Sequence, residues 1–223
     1  MKKYIREHLH GLWVLYLAFY LPWFFWLERH VTTFHDMATD FDRKIPFCEY
    51  FIIPYFLWFV YVVVTWLYYF FYDKKEFYRF VALLYIGMSI CLTICTFFHN
   101  GINLRVDVDK DRNFFTWAVF QLHNVDTSAN VFPSIHIYNT LVCCVSMFRY
   151  KPLRGKIKFQ IGSIVLSILI CLSTIFLKQH SIMDIIGAIV LYVIMHMIFY
   201  HWGPKLLASR KSKEAAPAAE VDT

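Results

Sequence analysis

Residues 130–140 run Asn-Val-Phe-Pro-Ser-Ile-His-Ile-Tyr-Asn-Thr, so an apolar segment of the chain opens with a Pro, a Ser and a His. Ionisable groups are few inside the apolar segments of this chain. A second polar interruption follows downstream and contains Ser173, Thr174, Lys178, His180 and Asp184. We expect the chain to be a membrane scaffold that brings these two interruptions together.

The composition is typical of an integral membrane protein. Of the 223 residues, 59% are hydrophobic and only 17% are charged, whereas a soluble domain usually carries about a quarter charged residues. The charges cluster between long apolar runs, which indicates membrane spans and argues against a large soluble core. Basic cytoplasmic loops explain the net charge of +6 without a nucleic-acid partner.

The hydrophobic pattern predicts an all-α, polytopic membrane protein with a bundle of six transmembrane helices. The predicted spans cover residues 11–29, 49–72, 78–98, 134–148, 159–177 and 182–202. Residues 1–203 then form one membrane domain, and residues 204–223 form a basic, then Ala/Glu-rich, disordered tail. Between Arg112 and His123 we expect a helix in the membrane interface, with one apolar side made of Phe114, Phe115, Trp117, Ala118 and Leu122.

The distribution of Lys and Arg predicts the orientation of this bundle. An even number of spans puts both termini on one side, and most of the 22 Lys and Arg residues fall in the termini and the loops on that side. Both termini are therefore expected to be cytoplasmic. The opposite, extracytoplasmic face then holds the loops 30–48, 99–133 and 178–181.

This topology places both polar interruptions at helix N-termini on the extracytoplasmic face. The fourth predicted helix begins at Pro133 and Ser134, and the sixth begins near His180 and Ser181. Pro is tolerated in a first helical turn. Helix N-termini present unpaired N–H groups and a partial positive charge, which suits a phosphate.

The residues at these two helix starts suit phosphoryl transfer without a metal or another cofactor. Asp184 lies one helical turn after His180, where its carboxylate can hold one imidazole nitrogen and leave the other free as a nucleophile or base. His136 can serve as the acid for a leaving oxygen. The basic residues expected to neutralise phosphate oxygens are Arg105, Arg112 and Lys178.

At these residues the sequence resembles the type 2 phosphatidic acid phosphatase superfamily of membrane lipid phosphatases and phosphotransferases. That family carries the motifs Lys-x6-Arg-Pro, Pro-Ser-Gly-His and Ser-Arg-x5-His-x3-Asp. Residues 133–136 match the second motif with Ile in place of Gly, and residues 173–184 match the third in spacing with Thr174 in place of Arg. The first motif is matched poorly: Arg105 and Arg112 have its spacing, but Asn113 replaces the Pro. An alternative alignment takes Arg105 as the motif Arg.

The resemblance implies a role for each matching residue. His180 would be the nucleophile, Asp184 its orienting partner and His136 the acid for the leaving group. Ser134 and Ser173 would help to bind phosphate. Lys178, one turn after Thr174, is our candidate to replace the missing motif Arg.

The resemblance favours a lipid phosphate phosphatase in the bilayer, with a phosphorylated membrane lipid as substrate and an extracytoplasmic active site. The departures in the first and third motifs are also similar to the sphingomyelin and inositol phosphorylceramide synthase branches, which transfer a phosphorylated head group to a lipid alcohol. A non-enzymatic transporter or scaffold is a further alternative, and the oligomeric state, including a homo-oligomer, stays open.

Other interpretations compete with these assignments or limit the site. His136, His180 and Asp184 have a spacing that permits a metal site, although the cations nearby argue against it. Arg105 and Arg112 lie among three Asp residues and are equally well explained as solvated loop charges. Asp42, in the first outer loop, can reach the site, but an ordinary turn is the favoured interpretation. His99 and His123 are expected to be structural.

Overall fold

A computed structural model describes residues 9–205 and 208 of the chain. The main helices are α1 (Tyr16–His30), α2 (Asp40–Lys44), α3 (Ile52–Tyr72), α4 (Lys74–Phe97), α5 (Phe114–Val125), α6 (Ile135–Arg149), α7 (Ile157–Phe176) and α8 (Ile182–Met197). Shorter helical segments are the 3₁₀ turns Leu9–Leu15, Glu49–Phe51 and Lys151–Leu153 and the π-helical turn Ile198–Trp202. Two short strands, β1 (His35–Asp36) and β2 (Asn100–Gly101), pair in parallel. The chain is thus nearly all-α.

Five helical segments are long and apolar enough to cross a membrane. They are Gly11–His30, Glu49–Tyr72, Lys74–Phe97, Ile157–Phe176 and Ile182–Lys205. A bilayer core holds no water to satisfy backbone N–H and C=O groups, so a spanning segment of this kind has to be helical. The chain is therefore a multi-pass membrane protein, and these five segments lie close to five of the predicted spans.

Helix α6, the fourth predicted span, differs from the other five. It has 15 residues, which at about 1.5 Å per residue gives roughly 22 Å, whereas a bilayer core is about 30 Å thick. It packs against α3, α4, α7 and α8, and Tyr138, Val142 and Cys143 have no exposed surface. Helix α6 is thus the central helix of the bundle. The six-span layout and the cytoplasmic position of both termini stay predictions.

A close approach between α4 and α6 fixes the depth of the central helix. The Tyr138 hydroxyl donates a 2.7 Å hydrogen bond to the Leu83 carbonyl, and its ring lies over Gly87. A Cβ atom on Gly87 would come within 2.0 Å of the ring. Glycine is therefore required at position 87, because any side chain would push the tyrosine ring away from α4.

Asn100 organises the loop that leads into α6. Its amide nitrogen donates to the carbonyls of Phe98, at 2.7 Å, and Phe132, at 3.3 Å. Its side-chain oxygen accepts from the Phe132 N–H at 2.7 Å, and its backbone carbonyl accepts from Asn130 at 2.7 Å. One buried amide thus holds the residues that immediately precede Pro133.

Glu28, near the end of α1, holds the same loop from the other side. One carboxylate oxygen accepts from the backbone N–H of Thr127 at 2.7 Å and from its hydroxyl at 2.5 Å. The other accepts from the Asn130 side chain at 2.8 Å. A buried carboxylate is stable only when it is paired or hydrogen-bonded, and these three donors satisfy that requirement.

Helix α5 lies where the sequence predicts an interfacial helix, but its apolar residues divide between two environments. Ala118, Val119 and Leu122 are buried and pack with Tyr55 at the start of α3. In contrast, Phe114 and Trp117 are largely exposed. The apolar residues of α5 therefore do not share one environment, contrary to the prediction from the sequence, because only the side with Ala118, Val119 and Leu122 packs on the bundle. The predicted disordered tail, residues 204–223, falls outside the described residues apart from 204, 205 and 208.

We expect Gly87→Ala to destabilise the bundle. The added methyl group overlaps the Tyr138 ring, and overpacking of a core costs about 1–3 kcal/mol. Thermal unfolding of the detergent-solubilised protein measures the effect. Gly162→Ala in α7 is the matched control, because nothing lies within 4 Å of a Cβ at that position. Equal melting temperatures for the two variants would contradict this account of the α4–α6 contact.

Candidate active site

The start of α6 is set by Ser134. Its hydroxyl accepts a hydrogen bond from the Ile137 N–H at 3.4 Å and caps the helix. The sequence predicted that Pro133 lies in the first turn of the helix, but Pro133 precedes the cap. The Phe132–Pro133 peptide bond is cis. Phe132 in turn packs on Gly187 of α8, where a Cβ would lie 2.3 Å from the ring. This contact brings the start of α6 against α8.

The start of α8 is a reciprocal cap between Ser181 and Asp184. The Ser181 hydroxyl accepts from the Asp184 N–H at 3.3 Å, and the Asp184 carboxylate accepts from the Ser181 N–H at 2.7 Å. The Asp184 carbonyl also accepts from the Ser134 N–H at 3.2 Å. The two helix starts are therefore hydrogen-bonded directly to each other.

These two helix starts bring His136, His180 and Asp184 into one chain of contacts. Nδ1 of His180 lies 3.3 Å from a carboxylate oxygen of Asp184, and its Nε2 lies 3.2 Å from Nδ1 of His136. His180 and Asp184 are buried. The His136 ring packs against Tyr55 and Trp58, with ring centroids 4.7 and 4.4 Å apart.

The contacts of His180 determine what its ring can do. A carboxylate accepts hydrogen bonds only, so Asp184 holds the proton on Nδ1 and leaves a lone pair on Nε2. In the structure that lone pair faces the Nδ1 atom of His136. A ligand atom that approaches Nε2 of His180 therefore requires the His136 ring to turn aside.

The same contacts bear on the metal interpretation. The two nitrogens of His180 point at different partners, so the three side chains form a line and do not converge on a point. Across the described residues, no group of three or more His, Cys, Asp or Glu side chains is arranged to hold a metal ion.

Lys178 lies in the tight connection between α7 and α8 with a positive φ of 57°, a conformation that favours glycine. This left-handed residue reverses the chain, and the N–H groups of Gln179 and His180 both donate to the Thr174 carbonyl at 2.9 and 3.0 Å. The structure thus uses position 178 as a helix terminator.

The side chain of Lys178 explains why a lysine occupies this turn. Nζ donates to the carbonyls of Asp42 and Ile45, at 2.6 and 2.5 Å, and so fastens the loop between α1 and α3 to the α7–α8 turn. Burial lowers the pKa of Lys178, and the nearby Asp42 opposes that shift. Two of the three ammonium protons are therefore engaged by protein carbonyls.

Arg105, another predicted phosphate ligand, contacts Gln179, the residue that precedes His180. Its guanidinium donates to the Asp126 carbonyl, to the His123 carbonyl at 3.3 Å and to the side-chain oxygen of Gln179 at 2.9 Å. Burial lowers the pKa of Arg105, and Asp126 opposes that shift. The Asp126 carboxylate itself accepts from the Tyr55 hydroxyl at 2.7 Å, so the direct partners of Arg105 are neutral.

The remaining predicted phosphate ligands occupy different surroundings. Arg112 has a side chain 67% exposed and lies 3.8 Å from Glu49, so it is a surface ion pair. The Ser173 hydroxyl is buried and donates to the Ile170 carbonyl at 2.6 Å. Thr174, which stands where the motif has Arg, donates to the Cys171 carbonyl.

The helix N-termini are less available to a phosphate than the topology suggested. The Asp184 N–H is bonded to Ser181 and the Ile137 N–H to Ser134. The Ile182 N–H donates to the Asp42 carboxylate at 2.9 Å. Side chains of the protein itself thus occupy these three donors.

Sequence reasoning missed the importance of Asp42 and did not consider Gln179. Asp42 is buried and also accepts from the Thr39 N–H and hydroxyl at 2.8 and 2.6 Å. The spacing of Thr39 and Asp42 signals a capping box at α2, but no local signal shows the contact with Ile182. Gln179 is 2% exposed, and only its position next to His180 could have drawn attention to it.

Comparison with known proteins gave one family match, over the segment that contains the candidate site. The family model of the PAP2 superfamily matches residues 108–208, which include α5 to α8 and every residue of the His136–His180–Asp184 chain. Searches of the curated proteins and of the solved structures gave no match.

We expect Lys178→Met to loosen the loop between α1 and α3. The substitution removes two hydrogen bonds from a charged donor, each worth about 1.5–3 kcal/mol. Trypsin cleavage at Arg43 should become faster and the melting temperature should fall. Lys110→Met, at an exposed lysine of the loop between α4 and α5, is the control. A cleavage rate equal to that of the wild type would show that the tether does not hold the loop.

His123 should make the fold sensitive to acid. Burial, with a further contribution from Arg105, lowers its pKa to about 4, whereas an unfolded histidine titrates near about 6.5. Between these values the unfolded chain binds more protons, so the stability contributed by this group is present above about pH 6.5 and is lost as the pH falls towards 4.

The test compares the melting temperatures at pH 7 and pH 4.5 for the wild type, His123→Phe and the control His99→Phe, whose side chain is exposed. The drop should be smaller in His123→Phe than in the other two proteins. An equal drop in all three would assign the acid sensitivity to other groups.

Proposed function

We propose that the chain is an integral membrane lipid phosphate phosphatase of the PAP2 superfamily, whose family model matches residues 108–208. Its substrate is a lipid phosphomonoester or diphosphate, and the reaction proceeds through a phospho-histidine on His180 without a metal ion. The observation that carries this proposal is the chain of contacts from Asp184 to His180 at 3.3 Å and on to His136 at 3.2 Å.

The first step is attack of His180 on the phosphoryl group. Asp184 keeps the proton on Nδ1, so the Nε2 lone pair forms the bond to phosphorus. The phosphate enters between the two imidazoles, and its negative charge stabilises the protonated form of His136. As the bond from phosphorus to the lipid oxygen breaks, His136 gives its proton to that oxygen, and the lipid alcohol leaves.

The second step regenerates the enzyme. Neutral His136 takes a proton from a water molecule, and the oxygen of that water attacks the phosphorus of phospho-His180. The bond between phosphorus and Nε2 breaks, so inorganic phosphate is released with His180 neutral and His136 protonated again. The Asp184 carboxylate stabilises the positive charge that the His180 ring carries in the intermediate.

The position of the site supports a lipid substrate. The triad lies at the N-termini of α6 and α8, and α8 belongs to a segment that is apolar and long enough to span a bilayer. A lipid phosphate has its charged group at the same depth while its chains stay in the hydrocarbon. On the predicted topology this end of the bundle is extracytoplasmic.

Activity measurements with purified protein in mixed micelles test the proposal. We expect release of phosphate from phosphatidic acid, phosphatidylglycerol phosphate or a polyprenyl diphosphate, and we expect a divalent chelator to have no effect. His136→Ala should lower kcat by about 10²–10⁴, the usual contribution of a general acid, and His180→Ala by at least as much. His30→Ala, at the exposed end of α1, should retain activity.

Two outcomes would redirect the assignment. A phosphorylated product that forms only when an alcohol acceptor such as diacylglycerol or ceramide is added would favour the head-group transferase, which uses the same triad. If the wild type and both histidine variants release no phosphate from any of these substrates, the triad is structural and the scaffold alternative gains support.

A further inference from the structure

Several buried side-chain nitrogens around the triad have no hydrogen-bond partner. Within the described part of the chain they include Nε2 of Gln179, Nε of Arg105 and Nε1 of Trp58. An unpaired buried donor is costly, so each such group needs an explanation, and an absent ligand is one of the standard explanations. Gln179 directly precedes His180, Arg105 binds Gln179, and the Trp58 ring contacts His136.

The orientation of the Gln179 amide follows from its partner. A guanidinium has donors only, so the atom 2.9 Å from Arg105 is the amide oxygen, and the amide nitrogen is the atom left without a partner. The base of this side chain is fixed with respect to His180, because the backbone N–H groups of both residues share the Thr174 carbonyl. Gln179 is 2% exposed, so bulk water does not satisfy its nitrogen.

The other cations predicted to bind phosphate are engaged elsewhere. Lys178 binds two carbonyls, Arg112 pairs with Glu49 at the surface, and Thr174 replaces the guanidinium of the motif. A phosphoryl group in transfer spreads negative charge over three oxygens and needs donors that are already in place.

We propose that Gln179 is a substrate-binding residue, whose Nε2 donates to a phosphoryl oxygen while its Oε1 holds the Arg105 guanidinium so that the Arg105 Nε donates to the same phosphoryl group. This inference rests on the proposed function and adds a neutral donor to the site. The amide then has two roles: its nitrogen contacts the phosphate directly, and its oxygen positions the Arg105 guanidinium.

The decisive variant is Gln179→Glu. The glutamate has the shape of the glutamine and keeps an oxygen for Arg105, but it replaces the proposed donor with an acceptor. Gln179→Leu removes both functions. Gln121→Leu, at an exposed position on α5, is the matched control. Orthovanadate, which adopts the five-coordinate geometry of phosphoryl transfer, serves as the probe for calorimetric binding to the full-length protein in detergent.

We expect Gln179→Glu to melt near the wild-type temperature and to bind vanadate at least about tenfold more weakly, since a hydrogen bond to a charged group contributes about one to two powers of ten in affinity. Its kcat/KM for phosphatidic acid should fall at least as much. Gln179→Leu should show a similar or larger loss, and Gln121→Leu none.

The outcomes separate this inference from the proposed function. A wild-type protein that binds vanadate and hydrolyses lipid phosphate, alongside an equally competent Gln179→Glu, would overturn the role of Gln179 and leave the phosphatase assignment standing. A Gln179→Glu protein that fails to fold would also overturn it, because the amide would then serve the resting fold. A wild-type protein with neither vanadate binding nor hydrolysis would remove both proposals.

Discussion

The arrangement of the site depends on the hydrogen bonds of one residue, Asp184. Its carboxylate accepts from the Ser181 N–H at the start of α8 and from the ring of His180. Its backbone carbonyl accepts from the Ser134 N–H at the start of α6. Asp184 therefore determines three features together: the cap of α8, the orientation of the His180 ring and the separation of the two helix starts. The site is a consequence of how α6 and α8 begin.

The sequence predicted the membrane spans well because the bilayer leaves few alternatives. An apolar segment in lipid has to be helical, so hydropathy alone located five segments, such as Glu49–Tyr72, to within a few residues. Hydropathy was less informative about α6, because an apolar helix buried among other helices has the same composition as a short span. The role of α6 as the central helix depends on contacts such as that of Tyr138 with Gly87, which no local pattern encodes.

The sequence predicted the parts of the candidate site that depend on residue spacing within a helix. It did not predict the parts that depend on contacts made by loops. The i, i+4 spacing of His180 and Asp184 places them on one helix face, and topology supplied His136. Lys178 was assigned to phosphate by the same spacing argument, but a left-handed turn directs its ammonium to the carbonyls of Asp42 and Ile45. Those partners lie more than a hundred residues away, so helix periodicity carries no information about them.

The charge balance around Arg105 bears most directly on the chemistry. A buried guanidinium normally pairs with a carboxylate, because an uncompensated buried charge is expensive. Here the Asp126 carboxylate accepts from Tyr55, and Arg105 donates to two backbone carbonyls and to Gln179. Among the described contacts, Arg105 is therefore a cation without a direct counter-ion, and it lies against Gln179. On the proposed function, a phosphate bound between His136 and His180 would bring negative charge towards this cation.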